Sequence, residues 1–278
     1  MMSTLFSNSI STSTKRRRQP RFQAVETHMF DPSIKAVLCD IGGVLYVGDT
    51  PIPGAIEALV RIKSRYSVRF VTNTTQKTAQ QVVEALRSMG FDIAEDEVLT
   101  ALDVTKLFLK NHDSRGFYLL TDDATAFFDD LNEIERQHYV VIGDAQENFT
   151  YERLNKAFRL LQSGSELIAV AKNRYFKDND YQLSMDAGGF VSALEYASGK
   201  EAHIIGKPSH DFYRLACSSM NVEPAECLMI GDDIESDILG AQEAGLKTLL
   251  VKTGKFAVQD LESGIMPDFI ADSIADIP

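Results

Sequence analysis

From about residue 34 to residue 251 the chain alternates short apolar runs with segments of helical spacing, and this alternation restricts the fold more than any other feature. IKAVLCD (34–40) is apolar at nearly every position, as a strand buried on both faces must be. GAIEALVRIKSRY (54–66) follows as an amphipathic helix opened by Pro53 and Gly54. VRFVTN (68–73) is a second strand. TAQQVVEALRSMG (78–90) is a second helix, with Val82, Leu86 and Met89 on one face and Gly90 as its stop. The rhythm continues through helix 101–111, strand FYLL, helix 124–131, strand YVVIGD, helix 151–162 and strand LIAVA. Helix 189–198, strand 203–206, helix 209–220, strand CLMIGD, helix 235–245 and strand KTLLV complete it. Strands that alternate with helices predict an α/β fold built on a doubly wound parallel sheet.

Charge and composition narrow the partners. The net charge is −12, but residues 1–25 hold Lys15, Arg16, Arg17, Arg18 and Arg21 and no acid, which leaves 23 basic against 40 acidic residues, or −17, for the rest. So acidic a body repels nucleic acid and anionic membranes and suits a soluble enzyme that holds a divalent cation. No apolar run approaches the ~20 residues needed to cross a bilayer. Three cysteines without metal spacing (Cys39, Cys217, Cys227) predict a reducing, cytoplasmic setting. Cys39, inside an apolar strand, reads as a small buried hydrophobe. The Ser/Thr/Arg-rich start fits an unstructured tail over 1–29, a start at Met29, or an organellar targeting segment. The sequons at Asn73 and Asn148 read as chance matches.

Ligands of doubly wound sheets sit at the carboxyl ends of the strands. That rule selects Asp40, Thr72-Asn73, Gly206-Lys207 and the GDDIESD segment with Asp232, Asp233 and Asp237. Loops after strands are polar in any protein, which explains each site singly. It explains less well a carboxylate, hydroxyl-plus-amide donors, a lysine and a carboxylate cluster together. A hard, oxygen-rich cluster suits Mg²⁺. An ammonium and donors around a lone carboxylate match the needs of phosphoryl transfer with Asp40 as nucleophile. No G-x-x-x-x-G-K-[ST] or helix-opening G-x-G-x-x-G occurs.

DIGGV, FVTNT, IGKPS and GDDIESD, in that order, resemble the four motifs of the haloacid dehalogenase superfamily. The insertion between the second and third resembles the type IIA cap of the p-nitrophenyl phosphatase-like group, with NFTYERLNKAFRLL, AKNRYFKDND and FVSALEYASGK as matching phrases. The resemblance covers roughly residues 34–275. It implies a Rossmann-like core over 30–100 and 200–278, with a cap inserted over 101–199. It also implies a homodimer formed through the cap. By the same resemblance Asp40 is nucleophile and Mg²⁺ ligand, Gly42 gives its carbonyl to the metal, and Asp232 is the direct carboxylate ligand. Asp233 and Asp237 would support the ligands from behind. Ile41, Gly42, Thr72 and Asn73 would bind the phosphoryl group, and Lys207 would neutralise it and orient Asp40. In the cap, Asn173 and Arg174 are candidates for choosing the substrate, or belong to a solvated loop.

The chain departs from the superfamily at Gly42, where a second aspartate usually protonates the leaving group and then activates water. A glycine keeps the backbone role and loses the acid–base one, which is typically worth 10²–10⁴-fold. Phosphoramidates and pyrophosphate depend on that help least, and alkyl monoesters most. The expectation is an Mg²⁺-dependent phosphohydrolase for small P–N or P–O–P substrates. A sugar or nucleotide phosphomonoesterase is the alternative within the class, and a weakly active sensor of phosphate and Mg²⁺ the alternative outside it.

Overall fold

The structure, a computed structural model, describes residues 32–177 and 182–277 together with the backbone pairing of Gln23–Ala24. The chain forms β1 (Gln23–Ala24), β2 (Ala36–Asp40), a hairpin of β3 (Tyr46–Val47) and β4 (Thr50–Pro51), β5 (Ser67–Thr72) and β6 (Val98–Thr100), with α1 (Ala55–Lys63) and α2 (Ala79–Ser88) between them. Next come α3 (Ala101–Asn111), β7 (Arg115–Leu119), α4 (Asp122–Ala126), β8 (Gln137–Ile142), α5 (Tyr151–Gln162) and β9 (Glu166–Ala169). The hairpin β10 (Tyr175–Lys177) and β11 (Leu183–Met185), α6 (Gly188–Ser198), β12 (His203–Ile204) and α7 (His210–Ser218) follow. The last elements are β13 (Cys227–Gly231), a π-helical turn Ile234–Leu239, α8 (Gly240–Glu243), β14 (Lys247–Val251) and β15 (Phe269–Ala271).

The larger sheet has the order β1-β15-β14-β13-β2-β5-β6 and is parallel throughout. The α/β, parallel-sheet reading of the sequence therefore stands. Along β2, Val37 and Cys39 join one apolar cluster with α1 and α2, while Ala36 and Leu38 join another with α3 and α7. This period of two, buried on both sides, is what the unbroken apolar run required. The helices are set by their ends. Thr78 and Gln81 form a reciprocal capping box at α2, and α1 turns Ala55, Ala58, Leu59 and Ile62 inward.

A second, four-stranded sheet has the order β12-β9-β8-β7 and is also parallel. It shares an apolar layer with the first: Leu38 and Val71 belong to the same cluster as Val141 and Ile168. The strand expected over 203–206, placed at the start of the returning core segment, instead edges this second sheet by pairing with β9. The chain thus returns to the larger sheet only after Ile204. The helix expected over 124–131 runs over Asp122–Ala126, because the Thr121 side chain accepts the Ala124 N–H and starts it early. The helix expected over 235–245 is split into the π turn and α8. The expected tail over 1–29 lies outside the described residues, apart from Gln23–Ala24, whose backbone pairs with β15. Among the described residues no helix is long and apolar enough to cross a membrane.

Candidate active site

Register brings the selected positions together. Asp40 pairs with Val71, Thr72 with Thr100, and Gly231 with Leu250, so Asp40, Thr72 and Asp232 end neighbouring strands at one carboxyl edge. Asp40 is 7% exposed and Lys207 3%. The Lys207 ammonium donates to Asp40 Oδ1 at 2.6 Å and to Asp237 Oδ1 at 2.6 Å. Burial alone pulls the Lys207 pKa down, but the charges of Asp237 and Asp40 outweigh it and hold it well above the usual lysine value. A buried lysine with two carboxylates is a fixed cation.

Asn73 has a partner that the sequence did not suggest. Its side-chain Nδ2 donates to the Lys207 carbonyl at 2.7 Å, and its Oδ1 accepts the Lys207 N–H at 2.8 Å. Both ends of the amide therefore grip the lysine backbone, and Asn73 aims Lys207. Thr72 Oγ1 accepts the Thr74 N–H at 3.2 Å, which shapes the start of the same loop.

The acid cluster divides by partner. Asp237 Oδ2 accepts the N–H groups of Asp232 and Asp233, each at 3.2 Å. With Oδ1 on Lys207, both its oxygens are engaged. Burial pushes the Asp237 carboxyl up to about 6, against the pull of Lys207. Asp233 caps the π turn by accepting from the Glu235 and Ser236 N–H groups, and its other oxygen meets the Lys255 ammonium at 3.1 Å. Burial would raise its pKa, but Lys255 and these hydrogen bonds leave it below the ordinary value. Asp232 Oδ2 accepts the Lys255 N–H at 2.6 Å. Burial, then the charges of Asp40 and Asp237, hold the Asp232 carboxyl well above the ordinary range.

Two glycines make the Asp232 position possible. A Cβ on Gly43 or on Gly254 would lie 2.0 Å from Asp232 Oδ2, and both have positive φ, +85° and +59°. Gly42, next in line, is the opposite: exposed, with nothing within 4 Å of an added Cβ. Ile41 is buried in the apolar cluster beside α1, so only its backbone can serve the site.

One oxygen or more from each of Asp40, Asp232 and Asp237 lies within 4.8 Å of the others. Four carboxylates (Asp40, Asp232, Asp233, Asp237) face two ammonium groups, Lys207 and Lys255, which leaves the cluster short by two positive charges. All-oxygen donors with that deficit fit a divalent hard cation.

In the cap, Arg174 is exposed and its guanidinium lies 3.9 Å from Glu235 of the π turn, a bridge from the cap to the lip of the site. The Asn173 side chain hydrogen-bonds Asp186, and its carbonyl accepts the Gly188 N–H at 3.0 Å. Its amide is thus used within the cap. Lys255 carries no sequence signal of its own: β14 ends at Val251, and the strand-end rule there points first to Lys252.

A model of haloacid dehalogenase-like hydrolases matches residues 37–134, and one described as HAD-hydrolase-like matches 204–277. Human haloacid dehalogenase-like hydrolase domain-containing protein 2 is 42% identical over 239 residues, 86% of this chain and 92% of that one. The chain belongs to the haloacid dehalogenase-like hydrolases. Rat phospholysine phosphohistidine inorganic pyrophosphate phosphatase is 40% identical over 250 residues, 87% of this chain and 91% of its own. Among solved structures, a 4-nitrophenylphosphatase of Thermotoga maritima superposes with a TM-score of 0.81 at 29% identity, over 88% of this chain and 96% of that one. The chain is an enzyme of the haloacid dehalogenase phosphatase type.

Proposed function

We propose that this phosphatase is Mg²⁺-dependent, works through an aspartyl-phosphate on Asp40, and acts on small phosphoramidate or pyrophosphate-type substrates. The observation that carries the reading is the setting of Asp40. Its carboxylate ends the strand beside β13, 2.6 Å from a buried ammonium, with open space where a second acid would stand at residue 42. The kinship with a phospholysine, phosphohistidine and pyrophosphate phosphatase supports the same substrate class.

Asp40 attacks phosphorus, the P–N or P–O bond to the leaving group breaks, and the phosphoryl group rests on the carboxylate. Water then attacks phosphorus and releases inorganic phosphate and free Asp40. Lys207, pinned by Asp237 and aimed by Asn73, neutralises charge on the transferring group without moving. Asp40 and Asp232, with the Gly42 carbonyl, would hold Mg²⁺. When bound, the ion supplies Lewis acidity towards the phosphoryl oxygens. With a glycine at 42, the leaving group takes its proton from solvent. The nitrogen of a P–N bond accepts that proton before the bond breaks, and the phosphate expelled from pyrophosphate leaves as a stabilised anion, whereas the weakly basic bridging oxygen of an alkyl ester takes no proton beforehand and would have to leave as an unstable alkoxide.

The test is phosphate release from imidodiphosphate, pyrophosphate and an alkyl phosphate, with and without Mg²⁺, against Asp40→Asn. Activity that survives in Asp40→Asn ends the mechanism; preference for the alkyl ester ends the substrate reading. A cap dimer has an apolar surface to use. Tyr175 lies opposite Met185 in the β10–β11 hairpin, and both, with Leu183, are exposed. Light scattering on the purified chain tests it. The three unpaired, buried thiols suit a reducing, cytoplasmic compartment.

A further inference from the structure

Asp144 lies two residues beyond β8 of the four-stranded sheet, far in sequence from the acid cluster, yet it grips the core loop that leads out of the site. Its backbone N–H donates to Thr75 Oγ1 at 2.8 Å. Its Oδ2 accepts a hydrogen bond from Gln76 Nε2, and its Oδ1 accepts the Gln146 N–H at 3.0 Å within the cap. One cap residue thus holds two consecutive core residues, one through its backbone and one through its carboxylate. The contact is close, and buried on the Asp144–Thr75 side. Asp144 is 9% exposed and Thr75 4%, and a Cβ on the preceding Gly143 would lie 2.8 Å from Thr75 Cβ and 2.8 Å from Leu120 Cδ2. A hydrogen bond to a carboxylate in such a place is stronger than its exposed counterpart.

Thr75 and Gln76 lie two and three residues beyond Asn73 in the same loop. Asn73 grips the Lys207 backbone through both ends of its amide, and Lys207 reaches Asp40 at 2.6 Å. A continuous series of bonds therefore joins the cap to the nucleophile: Asp144 to Thr75 and Gln76, along the loop to Asn73, across to Lys207, and on to Asp40. We propose that Asp144 is a positioning residue that couples the seating of the cap to the aim of Lys207. With the cap seated, the 72–76 loop is clamped from above and Asn73 fixes the lysine. With the clasp open, that loop loses its anchor, and the phosphoryl group meets a less ordered cation. The effect falls on the chemical step more than on binding, since Asp144 is engaged with protein on both oxygens.

The inference rests on Asp40 being the reacting group, so its test carries a readout independent of turnover. Asp144→Ala and Gln76→Ala each open the clasp, from the cap side and the core side. The expected result is a fall in kcat of about ten- to a hundredfold for Asp144→Ala and less for Gln76→Ala, with KM for imidodiphosphate changed under about threefold. The double variant Asp144→Asn, Gln76→Glu exchanges donor and acceptor, and recovers kcat above that of Asp144→Asn alone. Hydrogen exchange of the 72–76 amides speeds up in Asp144→Ala, and equally so when Asp40 is also changed to Asn. If Asp144→Ala fails to fold, Gln76→Ala alone decides. Unchanged kcat in the folded single variants, no recovery in the exchanged pair, or unchanged amide exchange overturns the proposal. Turnover that is indifferent to Asp40→Asn, with the exchange result intact, would instead overturn the mechanism at Asp40 and leave the clasp standing.

Discussion

Gly42→Asp should turn this enzyme towards the substrates it handles worst. The structure makes the perturbation a clean one. An added Cβ meets nothing within 4 Å, the residue is exposed, and its backbone is outside the left-handed region. The new carboxyl stands two residues beyond Asp40 on the same loop, so folding cost is close to nil and the effect is chemical. Acid–base help is typically worth 10²–10⁴-fold, which at 1.36 kcal/mol per factor of ten is about 2.7–5.4 kcal/mol of barrier. No surrounding residue has been shaped to orient the new group, so the low end applies. We expect kcat/KM for a primary alkyl phosphate to rise by about a hundredfold, and that for p-nitrophenyl phosphate, whose phenolate leaves unaided, by less than about tenfold. Gly42→Asn, equal in size and without a titratable proton, should match the wild type. Steady-state phosphate release at pH 7 measures all three. A uniform gain across leaving groups, or an equal gain in Gly42→Asn, would refute the idea that residue 42 controls proton delivery.

Gly43→Ala should do the reverse of its neighbour: its Cβ falls 2.0 Å from Asp232 Oδ2 at φ +85°, so activity drops by more than about a hundredfold and urea unfolding shows a loss of about 1–3 kcal/mol. Wild-type behaviour in both assays would show that Asp232 has room to move. Lys207→Met strands Asp40 and Asp237 without their counter-charge, and should cost about 3–5 kcal/mol in urea unfolding; a loss under about 1 kcal/mol would mean that water reaches the pair. The raised carboxyls set a pH dependence. Asp237, at about 6 when folded, contributes stability that is complete below the ordinary aspartate range and is lost as pH rises through 6, and Asp232 acts in the same direction. Metal-free protein should therefore melt lower at pH 7.5 than at pH 5. Mg²⁺, which needs the Asp232 carboxyl deprotonated, should raise Tm more at pH 7.5; an equal rise at both would count against Asp232 as its ligand.

Legibility in the sequence followed burial. β2 and β13 announce themselves because a strand covered on both faces has no polar positions to confuse the pattern, and each ends on a residue that the strand-end rule picks out. β12 misled because two paired residues, His203–Ile204, carry no signal of which sheet they join. The hairpin of β10 and β11 lay beneath a loop-like composition. The Asn73 side-chain partner was illegible: sequence shows that an amide is present, but the lysine backbone it holds is 134 positions away. Gly43 and Gly254 were silent for a similar reason, since what they make room for, the Asp232 side chain, comes from a distant strand.

The order of strands has a consequence during synthesis. β2 pairs with β5 on one side and with β13 on the other, and β13 begins 187 residues after β2 ends. At roughly 5–20 residues per second, ribosomes need about 10–40 s to cover that interval. Throughout it, the apolar edge of Ala36–Cys39 lacks its final neighbour. An open, apolar edge is a template for pairing with another chain. The nascent protein therefore carries its greatest aggregation hazard along the line that will become its catalytic seam, and a chaperone that shields the emerging chain would raise the yield of active enzyme more than it raises the yield of soluble chain.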